Sequence, residues 1–198
     1  MGRILGALDD AVEQALGRFR GHWGVDTAAL VTSNLAYYGF VWAAVAAAKA
    51  RRPGPARRRA LRALAFSGVA SATVSTAVKQ AVQRRRPAGA GSRPAGAGLP
   101  VRRPASSSFP SGHTLAAFCT AVVLPESPRG VAAAVAFAVA VAASRVHLRA
   151  HHASDVVGGT VIGTGVGLAL RAGLPGTDRA TGPGRGAGRW PVPAPGRE

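Results

Sequence analysis

Three clusters of polar residues in this chain have the types and spacing to hold an oxyanion and attack it. In residues 144–155, His151 and Asp155 stand four apart. On one helical turn the carboxylate can accept a hydrogen bond from one imidazole nitrogen, which leaves the other nitrogen to attack. Arg145 adds a planar fork of donors that suits phosphate oxygens. The second cluster, Pro110-Ser111-Gly112-His113, precedes an apolar run. Ser111 is placed there as a helix cap beside free backbone N–H groups, Gly112 lets an anion approach the backbone, and His113 can supply a proton. In the third, Lys79 and Arg86 are seven apart and so share nearly one helix face, and Pro87 lets the chain turn away after Arg86. Both cations can then point at one anion.

Each cluster has a plainer reading when taken alone. Lys79 can snorkel to an interface while Arg84, Arg85 and Arg86 form a solvated basic end. A lone histidine at a helix start, such as His113, is most often a satisfied polar residue. His147, His151, His152 and Asp155 resemble a metal-ligand cluster, although no further ligand group accompanies them and adjacent His151 and His152 point in different directions on a helix. Attack by the Ser111 hydroxyl is a lesser rival. Cys119 is the single cysteine, which excludes an internal disulfide and a cysteine-based metal site.

The elements that must position these residues are apolar. The 198 residues are 47% hydrophobic with 25 Lys and Arg, and mean hydropathy is +0.15. The apolar residues gather into five uncharged blocks separated by arginine-rich stretches, the alternation of spans and loops in a polytopic membrane protein. Residues 3–20 set Ile4, Leu5, Leu8, Val12, Leu16 and Phe19 at helical spacing against acidic and basic residues, which predicts an amphipathic helix on the membrane surface. Its acidic residues and lack of a long apolar core argue against a cleaved signal peptide. Residues 27–48 form the first uncharged block, with Tyr37, Tyr38 and Trp42 as interfacial or packing aromatics. A second, 61–82, is interrupted by Lys79. Residues 87–110 read as a loop. Runs at 114–124 and 130–143, joined through Pro125-Glu126-Ser127-Pro128, predict a helical hairpin. The run at 156–170 carries Gly159, Gly163 and Gly167 on one face, flat enough for close helix contact. The expected organisation is an interfacial helix over residues 1–24, a transmembrane domain over 25–172 and a disordered Pro/Gly/Arg-rich tail over 173–198. The expected fold is an all-α membrane bundle of about five spans.

A net charge of +17 raises nucleic acid as a partner. The joint excess of Arg, Ala, Gly and Pro instead reflects GC-rich coding, and the remaining charge suits anionic lipid headgroups, so no nucleic-acid partner is expected.

The three clusters, in this order, resemble the signature of the type 2 phosphatidic acid phosphatase superfamily: Lys-x6-Arg-Pro, Pro-Ser-Gly-His and Ser-Arg-x5-His-x3-Asp, spanning residues 79–155. The resemblance implies a helical bundle and a phosphatase that needs no metal and no other cofactor. It assigns attack on phosphorus to His151, with a phosphohistidine intermediate, and orientation of His151 to Asp155. His113 matches the general acid, and Lys79, Arg86, Ser111, Gly112 and Arg145 match phosphate-binding positions. Members act on phosphatidic acid, phosphatidylglycerol phosphate, polyprenyl diphosphates or decaprenylphosphoryl ribose phosphate, and the motifs do not read the lipid. The soluble vanadate-dependent haloperoxidases share the pocket, but the hydrophobicity of this chain argues against that branch. The implied partners are a lipid-linked phosphate and the membrane; a non-catalytic membrane protein that binds lipid headgroups is the alternative. Alternating spans put the amino terminus and the motif loops on one side. Setting aside the three cations at ligand positions, that side carries 9 Lys and Arg against 13 opposite, which favours an extracytoplasmic site in the cell membrane.

Overall fold

Apolar segments in lipid must satisfy their backbone polar groups internally, and the helix does so within one segment. The computed structural model describes residues 2–37, 40–51, 54–89 and 106–173, and over these it contains helices and connecting turns with no strand. The helices are α1 (Gly2–Gly17), α2 (Trp23–Tyr37), α3 (Phe40–Ala50), α4 (Pro55–Val82), α5 (Gly112–Val123), α6 (Pro128–His147) and α7 (Ala153–Gly173). Most of the expected loop at 87–110, the tail beyond residue 173 and Tyr38 lie outside the described residues.

All five apolar blocks are helical, and their lengths differ in consequence. Residues 57–82 of α4, together with α6 and α7, are long and apolar enough to cross a bilayer. The block at 27–48 is two helices rather than one. Their axes bend by 58°, and α2 with α3 passes the same test as a broken pair, which makes up to four spans. At 12 residues, α5 is about 18 Å long, against a hydrocarbon core of about 30 Å. It is the central helix, in contact with α2, α4, α6 and α7.

The apolar stripe of α7 explains how α5 is held. Helix association inside lipid depends on close packing rather than on expelling water. Gly159, Gly163 and Gly167 are buried, and a Cβ added at each would press on the backbone carbonyl of Ser111, Leu115 and Cys119 respectively. Both helices thus advance in steps of four residues, one carbonyl of α5 resting on each glycine of α7. On the opposite flank Thr120 of α5 donates a hydrogen bond to Ser67 of α4 at 3.2 Å. Trp42 of α3 meets Phe137 of α6 edge to face, 5.5 Å between ring centres.

Burial in α1 is inverted relative to a helix on a soluble domain. Ile4, Leu5 and Leu8 are exposed whereas Asp9 is buried at 8% exposure. An apolar surface left open on a protein of this kind fits the expected position in the lipid interface.

The α5–α7 contact predicts a position-specific response. Gly163→Val should cost about 1–3 kcal/mol, because a backbone carbonyl cannot move aside as a side chain can, and should lower the thermal unfolding midpoint in detergent. Gly165→Ala, whose Cβ meets nothing within 4 Å, should leave that midpoint unchanged or raise it. Equal midpoints for the two variants would refute the carbonyl-on-glycine packing.

Candidate active site

The ends of α4, α5, α6 and α7 meet on the side where α1 lies. α4 stops because Gln83 takes a left-handed conformation (φ 44°), its N–H closing on the Lys79 carbonyl. Residues 83–87 have no helical structure, so Arg84 and Arg86 turn inward, partly buried, while Arg85 between them is exposed. The returning segment pairs with this one: Ser108 N–H donates to the Arg84 carbonyl at 2.8 Å, and Arg84 N–H to Ser107 Oγ at 2.9 Å. Arg86 Nε donates to the Ser106 carbonyl at 3.1 Å and Nη2 to the Ser107 carbonyl at 3.2 Å. Lys79 and Arg86 therefore do not share a helix face, as their spacing predicted. Lys79 comes from the helix and Arg86 from the segment after it.

The same correction applies to His151. α6 ends at His147, Arg149 takes φ 53°, and His151 sits in the turn before α7. The four-residue spacing to Asp155 is consequently not a helical one, and the expected hydrogen bond between them is not made. His151 Nδ1 lies 3.8 Å from Asp155 Oδ2 and 2.7 Å from the Ser108 carbonyl oxygen. A carbonyl only accepts, so Nδ1 carries the proton and Nε2 holds the lone pair. That lone pair faces Arg86 Nη1 at 3.3 Å, and Nη1 also donates to the Ala150 carbonyl at 2.6 Å. His151 is 3% exposed. Burial pushes its imidazole down to about 4; the nearby Asp155 opposes the shift, and the Arg145 and Arg86 cations add to it.

Asp155, fully buried, accepts from the groups around the loop instead. Its donors are Ser108 Oγ at 2.5 Å, Arg84 Nη1 at 2.6 Å and the His152 N–H at 2.8 Å. It thus fixes both Ser108, whose carbonyl holds the imidazole, and the turn that carries His151. Burial works against the charge on Arg84, but the Asp9 and Asp155 carboxylates outweigh it and raise the guanidinium above its ordinary value.

Lys79, Ser111, Gly112, His113 and Arg145 gather at the same place. Ser111 is at the N-cap of α5, but its side chain makes no capping bond. Its Oγ accepts from Thr114 Oγ1 at 2.9 Å, and its N–H donates to the Asp155 carbonyl at 3.0 Å. The first-turn amides of α5 have no intrahelical partner by geometry. A Cβ at Gly112 would sit 3.0 Å from Ser75 Oγ and 3.5 Å from Lys79 Nζ, so the glycine leaves room for the ammonium. His113 lies within electrostatic reach of Arg145, His151, Lys79 and Arg86. Arg145, 7% exposed, donates through Nη1 to Ser33 of α2, and its buried Nε has no hydrogen-bond partner among the described residues. Within those residues none of Lys79, Arg86 and Arg145 forms an ion pair. A cavity of about 740 Å³ opens beside them, lined by Ser75, Lys79, Gln80, Gln83, Arg86 and Ser107 among other polar residues. Three cations, a helix start and a lone-pair nitrogen around one space form an arrangement that binds a multiply charged anion and presents a nucleophile to it.

The histidines do not converge. His147 Nε2 meets Asp26 Oδ1 of α2 at 2.7 Å, and no three His, Cys, Asp or Glu side chains among the described residues are grouped as a ligand set. Sequence reasoning missed Arg84, Ser108 and Asp9. For Arg84 a signal existed, since Pro87 disfavours helix before it and an extended segment turns alternate residues inward. For Asp9 there was none.

A family model described as the PAP2 superfamily matches residues 60–176, more than half of the chain. The chain belongs to the PAP2 superfamily. A transmembrane PAP2-type phosphatidylglycerolphosphate phosphatase from Bacillus subtilis has a similar solved structure, with 23% identity, 87% of this chain and 86% of that one covered, and a TM-score of 0.67. No curated protein matches. The PAP2 region begins within α4 and takes in all three polar clusters, while α1, α2 and α3 precede it. With its apolar helices, this PAP2 protein is a multi-pass membrane protein.

The burial of His151 has a consequence for stability. Above the ordinary histidine value of 6.5, both folded and unfolded chains hold the imidazole neutral. Between 6.5 and about 4 the unfolded chain binds a proton that the folded chain refuses, so stability falls as pH falls, by up to about 3 kcal/mol. Thermal unfolding in detergent at pH 7 and pH 4.5 should show this loss, and His151→Gln should show less of it. An identical loss in both proteins would remove His151 as its source.

Proposed function

We propose that this PAP2 protein is a phosphatase that releases phosphate from a phosphomonoester or diphosphate of a lipid or polyprenyl carrier, by way of a phosphohistidine and without a metal ion. The observation that carries the reading is the meeting of Lys79, Arg86 and Arg145, none ion-paired among the described residues, around the lone pair of His151 Nε2. Such a cluster is stable with a dianion between the cations, and its fixed donors stabilise charge that spreads over phosphoryl oxygens in the transition state.

In this mechanism Nε2 attacks phosphorus and the bond to the leaving oxygen breaks. His113 gives that oxygen its proton, and the phosphoryl group stays on His151. Water then attacks the phosphohistidine, with His113 taking up a proton, which frees inorganic phosphate and restores both histidines. The Ser108 carbonyl holds the attacking tautomer, and Asp155 stabilises the charge that develops on the ring. The polar lining of the adjoining cavity suits the headgroup end of the substrate. The excess of Lys and Arg on the opposite side supports an extracytoplasmic site.

His151→Ala should abolish phosphate release from a panel of phospholipid and polyprenyl phosphates in mixed micelles while the thermal transition persists; normal turnover by that variant would end the mechanism. A brief reaction with labelled substrate should leave an acid-labile, alkali-stable label on wild type and none on His151→Ala. Activity should also survive exhaustive chelation, whereas restoration only by an added divalent ion would favour metal-assisted hydrolysis.

A further inference from the structure

Asp9, in the surface-lying helix α1, reaches the proposed reaction centre through a chain of short polar contacts. Its Oδ2 lies 2.7 Å from Arg84 Nη2, and the other nitrogen of that guanidinium fork lies 2.6 Å from Asp155 Oδ1. Asp9 also accepts from the Ser154 N–H at 2.7 Å and from Ser154 Oγ at 2.9 Å. Ser154 Oγ in turn accepts from Arg84 Nη1 at 2.7 Å. Every acceptor position on the Asp9 carboxylate is thus directed at residues that flank or bind Asp155.

A surface helix needs no buried carboxylate to lie in lipid. Glu13, one turn along α1, serves attachment, pairing with Arg20 at 2.6 Å and with Arg149 at 2.9 Å. Neither of those arginines touches Asp155. Asp9 differs because its partner is shared. Arg84 is a rigid planar fork that holds one carboxylate on each side, so the seating of Asp9 fixes the angle at which Arg84 meets Asp155. Asp155 then fixes Ser108 and the His151 turn. Without Asp9, Arg84 is free to rotate toward the cavity that it helps to line, and Asp155 loses its ion-pair geometry.

We propose that Asp9 is a positioning residue for His151, acting through Arg84 and Asp155, so that the docking of α1 sets the competence of the site. The inference rests on the reading of His151 as the attacking group. It requires a loss of turnover rather than of substrate affinity, since none of the contacts of Asp9 reaches the space between Lys79, Arg86 and Arg145.

The test uses the full chain in mixed micelles with phosphatidic acid and farnesyl diphosphate as substrates. Asp9→Asn should lower kcat between about 10- and 100-fold, the range for a misplaced reacting group, with KM changed less than about threefold on the same ground and the thermal midpoint retained. Asp9→Ser, which keeps an acceptor for the Ser154 amide, repeats the measurement should Asp9→Asn not fold. In an Arg84→Gln background the Asp9 substitution should lower kcat no further, because the two act in series. Glu13→Gln should keep kcat near wild type. Wild-type kcat in the Asp9 variants, multiplicative losses with Arg84→Gln, or an equal loss in Glu13→Gln would each overturn the role of Asp9. His151→Ala is run alongside: if it is inactive while the Asp9 variants are normal, only this inference fails, and if it is active the underlying mechanism fails as well.

Discussion

The structure is organised around the repulsion among Lys79, Arg86 and Arg145, cations gathered where four helix ends meet. No carboxylate pairs with them among the described residues. Buried like charges are costly unless something holds them in place, and each of these is held by a separate element. Lys79 extends from α4, Arg86 is fixed by three carbonyl oxygens, and Arg145 is tied to Ser33 across to α2. The architecture stabilises the cluster by fixing the backbone around it rather than by neutralising its charge.

The acidic groups stand behind the cations. Asp155 and Asp9 share Arg84, Asp26 takes His147, and Glu13 takes Arg20 and Arg149. Each of these carboxylates braces a loop or helix end from outside the space that the free cations face. The division of labour is electrostatic: one arginine of the basic run is consumed by carboxylates, and the next inward-facing one is left for an anion. The Asp9 carboxyl shows the same balance. Burial acts to raise it, yet the Ser154 amide and Arg84 hold it below its ordinary value, which keeps the brace charged in mild acid.

Much of this was legible from the chain, for reasons that differ by element. The apolar blocks announced helices because nothing else satisfies their backbone in lipid, and the four-residue step of Gly159, Gly163 and Gly167 announced a close contact because a missing Cβ has few other uses on an apolar helix. Reasoning from helical spacing failed at Arg86 and at His151, and for one shared cause. The breaks before them are made by Gln83 and Arg149, non-glycine residues in left-handed conformation. That conformation costs about 1–2 kcal/mol for an L-residue, so no glycine marked either boundary. The broken pair α2 and α3 was also hidden inside one uncharged run. Asp9 was beyond reach altogether, since its partners Arg84 and Ser154 lie 75 and 145 positions away and a surface helix gives no sign of which acidic residue faces inward.

The glycine stripe of α7 does more than close the bundle. Its first member rests against the carbonyl of Ser111, the residue whose amide is bound by the Asp155 carbonyl. The seam between α5 and α7 is therefore also one wall of the anion space. Efforts to make a sturdier protein by filling that seam would alter the dimensions of the pocket, and efforts to widen the pocket would loosen the seam. Robustness and reactivity are governed here by a single set of positions, and neither can be engineered without re-measuring the other.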